Sequence, residues 1–227
     1  MAEKSQQHEV GLRGVPASPG IAIGPVYLFT RDHLKVESRP IRDKDVDAEI
    51  ERFKKALEDT REDILKTRAL AVKQTGDIVA RIFDSHLLIL EDVMLVDETL
   101  ERLKTEKINV DAIVYDIMRG TYRSLKAQKG EYFSQRADDV QDVARRIISN
   151  LQGLKDEYPF NLDKPVVLIA SALTPSDVIH LDRRHILGIA TNLGGATSHT
   201  AILTRSIEVP AVTGLKNITD LVCPGQM

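Results

Sequence analysis

The stretch from residue 166 to 191, VVLIASALTPSDVIHLDRRHILGIAT, decides the fold. It opens with an apolar, β-branched run, Val166 to Ala170, and closes with another, Ile186 to Thr191, each of the length and composition of a buried strand. Between them, Thr174-Pro175-Ser176-Asp177 sets a hydroxyl before a proline, which caps a helix start and presets its first turn. Strand, short helix, strand is the unit of a parallel α/β sheet. Downstream, a helix after Thr197 and a strand near Val209 to Thr213 continue the alternation. Upstream, Ile21-Ala22-Ile23-Gly24-Pro25-Val26-Tyr27-Leu28-Phe29 mixes β-branched and aromatic residues with turn formers and is expected to supply a strand.

Residues 41 to 158 are of another kind. All nine prolines lie outside them, at positions 16, 19, 25, 40, 159, 165, 175, 210 and 224, so nothing there interrupts a helix. Gly76, Gly120, Gly130 and Gly153 punctuate the stretch. Val46, Ile50, Phe53, Leu57 and Ile64 recur as one helix face requires. Further helical segments are expected over about 77–104, 110–126 and 136–151, the last with Val140, Ala144, Ile147 and Leu151 on one side. Breaks within the second segment are not placed by the pattern. The expected organisation is a tail over 1–10, an α/β domain from 11–40 and 154–227, and an all-α helical-bundle subdomain, 41–153, inserted into it.

With 42% hydrophobic residues in 227, the chain can bury one large core or two modest ones. Charged residues make up 29% but nearly cancel, to −3, which leaves no basic surplus for a nucleic-acid backbone. The polar N-terminus has no apolar signal-peptide core, and no apolar run approaches the roughly 20 residues that span a bilayer. Cys223 has no second thiol to pair with, which fits a reducing, cytoplasmic setting.

The segment most suggestive of chemistry is Gly194-Gly195-Ala196-Thr197-Ser198-His199-Thr200-Ala201-Ile202-Leu203-Thr204-Arg205. It leaves a strand, turns through two glycines, which allow positive φ and close backbone approach, and enters a helix whose free N–H groups favour an anion. A neutral imidazole there is a competent nucleophile near pH 7. Thr197, Ser198 and Thr200 have hydroxyls to offer phosphoryl oxygens. A histidine that merely caps a helix beside a tight turn fits the same geometry.

The run GGATSHTAILTRSIEVPAV, Gly194 to Val212, resembles the phosphohistidine signature of Enzyme I of the sugar phosphotransferase system, the phosphoenolpyruvate-protein phosphotransferase family. Ala17-Ser18-Pro19-Gly20-Ile21-Ala22-Ile23-Gly24, Leu173-Thr174-Pro175-Ser176-Asp177, the stretch Arg81 to Asp92 and Arg136-Ala137-Asp138-Asp139-Val140 are similar to other parts of its amino-terminal half. The resemblance implies an α/β phosphohistidine (swivelling) domain with an inserted helical subdomain. It implies that His199 takes a phosphoryl group from phosphoenolpyruvate and passes it to the phosphocarrier protein HPr, with Gly194, Gly195, Thr197, Ser198, Thr200 and Arg205 supporting the phosphate. For Arg205, about 240° around the helix from His199, a structural pairing is the alternative. Thr174 and Ser176 either reach the histidine loop or cap their own helix.

The resemblance places HPr docking near Asp77, Arg81, His86, Ile89, Asp92, Tyr132 and Arg136. It implies no metal or cofactor in this chain. Mg²⁺ and phosphoenolpyruvate belong to a barrel that would follow Met227 in a full-length homodimer, this chain then being a monomeric fragment. Two departures stand out: Thr204 replaces a usual alanine, and Val178 a hydroxyl residue able to bond the active histidine. A backbone carbonyl or another hydroxyl such as Ser198 would then orient His199. Also similar is the swivelling domain of pyruvate phosphate dikinase and phosphoenolpyruvate synthase, which places cysteine where Ser198 stands. A non-catalytic carrier-binding module is the alternative of a different class.

Overall fold

The computed structural model describes residues 11–30, 35–154, 162–195 and 198–227. The segment 166–191 folds as its pattern predicts, into β3 (Val166–Ala170), α7 (Pro175–His180) and β4 (Ile186–Thr191). They join β1 (Val15–Ser18), β2 (Val26–Phe29) and β5 (Ala211–Thr213) in one sheet of order β1-β5-β4-β3-β2. β2, β3, β4 and β5 run parallel, and β1 lies antiparallel on the β5 edge.

Side chains alternate across β3 as the pleat demands. Leu168 and Ala170 enter the main core, whereas Ile169 joins Ala190 and Leu215 in a smaller cluster covered by Ile218 and Val222. Ile218 belongs to the short α9 (Ile218–Leu221), which packs on β3 and β4.

The expected strand over 21–29 is only partly realised. Strand geometry begins at Val26, while Ile21 and Ile23 are 90% and 78% exposed. The turn formers explain this. Gly20 has φ +139°, and a Cβ there would sit 2.6 Å from Pro210 Cγ. A Cβ on Gly188 of β4 would sit 2.5 Å from that of Ala22. The stretch from Pro19 to Pro25 therefore crosses the sheet at close range and does not extend it.

Between β2 and β3 the described residues form six α-helices, preceded by a short 3-10 turn. α1 (Val46–Thr75) buries Phe53, Ala56, Thr60, Ile64, Thr67 and Ala71, a stripe recurring every three or four residues. Gly76, at φ +86°, ends it. The region expected over 77–104 is three helices, α2 (Asp77–Ala80), α3 (Ile82–Leu90) and α4 (Val93–Glu106). The last break has a local cause, because the Asp92 carboxylate accepts the Met94 N–H at 2.9 Å and starts α4 afresh. α5 (Val110–Ala127) and α6 (Glu131–Leu151) pack as a hairpin about Gly130, whose φ of +126° reverses the chain. α6 begins at Glu131, ahead of the expected Arg136, because Gly130 and not the first apolar residue sets its start.

α1 also contacts α7 and α8 (His199–Ser206), so one continuous core runs from the helices into the sheet. Among the described residues no helix is long and apolar enough to cross a membrane. Phe53 is fully buried in that shared core. Phe53→Ala is expected to cost about 3–5 kcal/mol, read as a lowered urea midpoint with a retained helical signal at zero denaturant.

Candidate functional site

His199 is the first residue of α8, and local hydrogen bonds explain why the helix begins there. Ser198 has extended backbone, and its Oγ accepts the Ala201 N–H at 3.2 Å while donating to the Gly195 carbonyl at 2.9 Å. Gly194 has φ +120°, and a Cβ on it would lie 3.1 Å from Thr213 Cβ, so glycine is required for the turn off β4. Gly195 is not at positive φ, and a Cβ there would meet nothing within 4 Å. Only one of the two glycines is thus demanded by the turn. Thr197 lies outside the described residues.

Among the described residues, the hydroxyls and the arginine expected to support phosphate are hydrogen-bonded to backbone carbonyls. Thr200 Oγ1 donates to the Leu173 carbonyl at 2.6 Å, tying α8 to the loop before α7. Arg205 donates through Nε and Nη2 to the Ala17 carbonyl at 3.2 and 3.0 Å, tying the far end of α8 to β1. Its observed role is structural, towards a backbone carbonyl and not an acid. Thr174 caps its own helix in a box with Asp177. Ser176 turns towards α6, donating to Asp142 Oδ2 at 2.8 Å and accepting from Arg146 Nη2 at 2.6 Å. Val178 is fully buried and offers no hydrogen bond from its side chain.

The residue that meets His199 comes from the helical insertion. Asp139 of α6 places Oδ1 at 3.3 Å from His199 Nδ1. The same oxygen lies 3.3 Å from His86 Nε2 on α3. Oδ2 accepts from Ser85 Oγ at 3.2 Å and lies 3.6 Å from Arg136 Nη1. Behind this set, His86 Nδ1 is 3.6 Å from Asp142 Oδ2. Asp139 is 2% exposed. Burial would push its carboxyl up, but hydrogen bonds from the His199 and His86 rings more than offset this, holding it well below the usual carboxylate range. His199 itself is partly exposed, its side chain 24% accessible.

His86, expected on a docking surface, is fully buried and stacks edge-on against Phe83 with centroids 5.5 Å apart. An apolar helix carries it inward, where Nε2 meets Asp139 while Nδ1, 3.6 Å from Asp142, makes no hydrogen bond among the described residues. Ile89, Asp92 and Arg136 line a groove between α3, α4, α5 and α6, together with Leu88, Met94 and Met118. Arg136 also faces Asp139, the residue that meets His199. Asp77 and Arg81 are exposed beside it in sequence, Asp77 pairing with Arg68 at 3.1 Å and Arg81 at 3.7 Å. Tyr132 is exposed and packs edge-on against Phe133. Among the described residues no group of three or more His, Cys, Asp or Glu forms a metal cluster.

Sequence reasoning passed over Asp139 although a signal was present. Asp139, Asp142 and Arg146 are buried charges on the same face of α6 as Val140, Val143 and Ile147. Charge inside an apolar stripe requires a partner. Since the Asp139 carboxyl binds its proton more weakly folded than unfolded, its stabilisation is complete above the unfolded pKa of about 3.9 and is lost as pH falls towards the lower folded value. Thermal unfolding should therefore show Asp139→Asn less stable than the wild type near neutral pH, with the gap closing on acidification below about pH 4.

Two family models match the chain: the N-terminal part of phosphoenolpyruvate-utilising enzymes over residues 13–136, and their mobile domain over residues 162–227. The phosphoenolpyruvate-protein phosphotransferase of Staphylococcus carnosus (strain TM300) is 37% identical over 214 residues, covering 94% of this chain and 37% of the relative. That of Listeria innocua serovar 6a is 38% identical over 208 residues, covering 92% and 36%. The chain thus spans little more than a third of the length of these curated relatives. A solution structure of an Enzyme I protein is 41% identical, with a TM-score of 0.72 over 95% of this chain and 87% of that one. With two matched modules, relatives of this identity and a fold shared with a solved Enzyme I protein, the chain belongs to the phosphoenolpyruvate-utilising enzymes, and within them to the phosphoenolpyruvate-protein phosphotransferase (Enzyme I) family, whose amino-terminal part it matches.

Proposed function

We propose that the chain carries a phosphoryl group on His199 and exchanges it with the phosphocarrier protein HPr, which docks in the groove between α3, α4, α5 and α6. The observation that carries this reading is the placement of His199, at the first position of α8, partly exposed, with Nδ1 held against a buried carboxylate. An imidazole so held has one nitrogen free to attack, and the helix start favours the phosphoryl oxygens beside it.

The groove supports the partner assignment. Leu88 and Met94 are 64% and 75% exposed, an apolar surface that needs a cover, and Asp92 and Glu98 lie at its edge. Ile89, Asp92 and Arg136 are the docking contacts we assign, with Asp77, Arg81 and Tyr132 at the margin. Phosphoenolpyruvate is the first donor in this reading. Its site and the Mg²⁺ that serves it are assigned to the part of the relatives' length that this chain does not span. No step here is routed through a metal.

Incubation with phospho-HPr is expected to add one acid-labile phosphoryl group by intact mass, and His199→Ala to abolish it. No adduct on the wild type, or the same adduct on the variant, would sink the reading. Leu88→Asp, which puts charge into the exposed apolar groove, should weaken HPr binding by about tenfold in calorimetric titration. The fold should be unaffected.

A further inference from the structure

We infer that Asp139, contributed by the helical insertion, is the positioning residue for His199. It fixes the ring in the tautomer that carries its proton on Nδ1, and faces the positive charge that phosphorylation places on the ring. The inference deepens the phosphohistidine reading and rests on it.

Three observations carry it. The first is direct: Asp139 Oδ1 stands 3.3 Å from His199 Nδ1, and a carboxylate can only accept, so the proton sits on the nitrogen. The second is elimination among the described neighbours. Ser198 spends its hydroxyl on Gly195 and Ala201, Thr200 spends its own on Leu173, and Val178 has none to offer. The third is that Asp139 is itself held. His86 Nε2 from α3 approaches the same oxygen at 3.3 Å, while Ser85 Oγ at 3.2 Å and Arg136 Nη1 at 3.6 Å approach the other. A buried carboxylate with that many donors has little freedom to turn away from His199. The groups facing the pair are thus His86 and Ser85 from α3 and Arg136 from α6, with Asp142 behind His86.

The chemistry follows from the proton's place. With Nδ1–H directed at Asp139, the Nε2 lone pair forms the new N–P bond as the donor's bond to phosphorus breaks, and that electron pair leaves with the donor. The Nδ1 proton stays, so the phosphorylated ring is cationic and lies against the carboxylate. On return of the phosphoryl group the N–P electrons revert to Nε2, and the neutral ring keeps the same tautomer. Aspartate orients and charge-balances a histidine in this way in the serine protease triad without taking its proton.

The test uses the whole chain with 15N-labelled histidine. Long-range ring spectra of the unphosphorylated wild type should show His199 with Nδ1 protonated and Nε2 bare. Asp139→Asn, nearly the same shape, should shift that equilibrium towards Nε2–H. It should also lower the maximal rate of phosphoryl uptake from phospho-HPr by roughly tenfold or more, with KM for phospho-HPr unchanged. Nε2–H in the wild type, or an Asn variant with wild-type tautomer and rate, overturns the role of Asp139. The wild-type spectrum decides this even if a variant fails to fold. A wild type that shows the expected tautomer yet takes no phosphoryl group overturns the phosphocarrier reading alone.

Discussion

A carboxylate buried where helices meet an α/β sheet is unstable unless donors surround it, and the arrangement of this protein turns on how Asp139 is surrounded. α6 delivers the charge, α3 answers it with His86 and Ser85, and α8 answers it with His199. Three helices from distant parts of the chain are thereby set relative to one another by one side chain. The neighbouring set of Asp142, Ser176 and Arg146 does the same for α6 and α7. The contact between helical insertion and sheet is therefore a polar seam within an apolar core, and polar seams fix geometry more narrowly than apolar packing does.

That seam changes the part the insertion plays. The insertion contributes surface, in the groove lined by Ile89, Asp92 and Arg136. It also reaches through α6 to the ring of His199, since α6 carries both Arg136 of the groove and Asp139 beside the ring. Arg136 lines the groove and faces Asp139. The α/β unit for its part holds α8 rigidly: Ser198 fixes its start, Thr200 its side and Arg205 its end, each through a backbone carbonyl. A ring on such a frame is held in one orientation by groups on both sides of α8.

Much of this was legible before any coordinates. β3, α7 and β4 follow from apolar runs around a hydroxyl–proline cap, since local hydrogen bonds and burial there agree. The helical character of the insertion follows from the absence of proline and the spacing of Phe53 and Ile64. The pattern was least informative where local and distant forces compete. Ile21 and Ile23 have the composition of strand residues, yet close approach to Pro210 and Gly188 draws their segment across the sheet. In the stretch holding α2, α3 and α4 two short breaks reset the helix phase, so the facing of His86 did not follow from spacing.

What the sequence by itself determined is the local setting of His199: a histidine one residue past a serine cap, at a glycine turn off a parallel strand. These are short-range facts, set by φ, by capping and by neighbours in the chain. What only the tertiary structure decided is which groups the histidine and its neighbours meet. The hydroxyls of Ser198 and Thr200, which spacing left equally able to hold phosphate or backbone, are turned to backbone, and Arg205 reaches β1. An aspartate that spacing showed only as a charge in an apolar stripe becomes the partner of His199. The physical reason is that a helix pattern specifies a buried face but not what opposes it, and only packing α6 against α3 and α8 supplies the donors that allow Asp139 to stay charged inside.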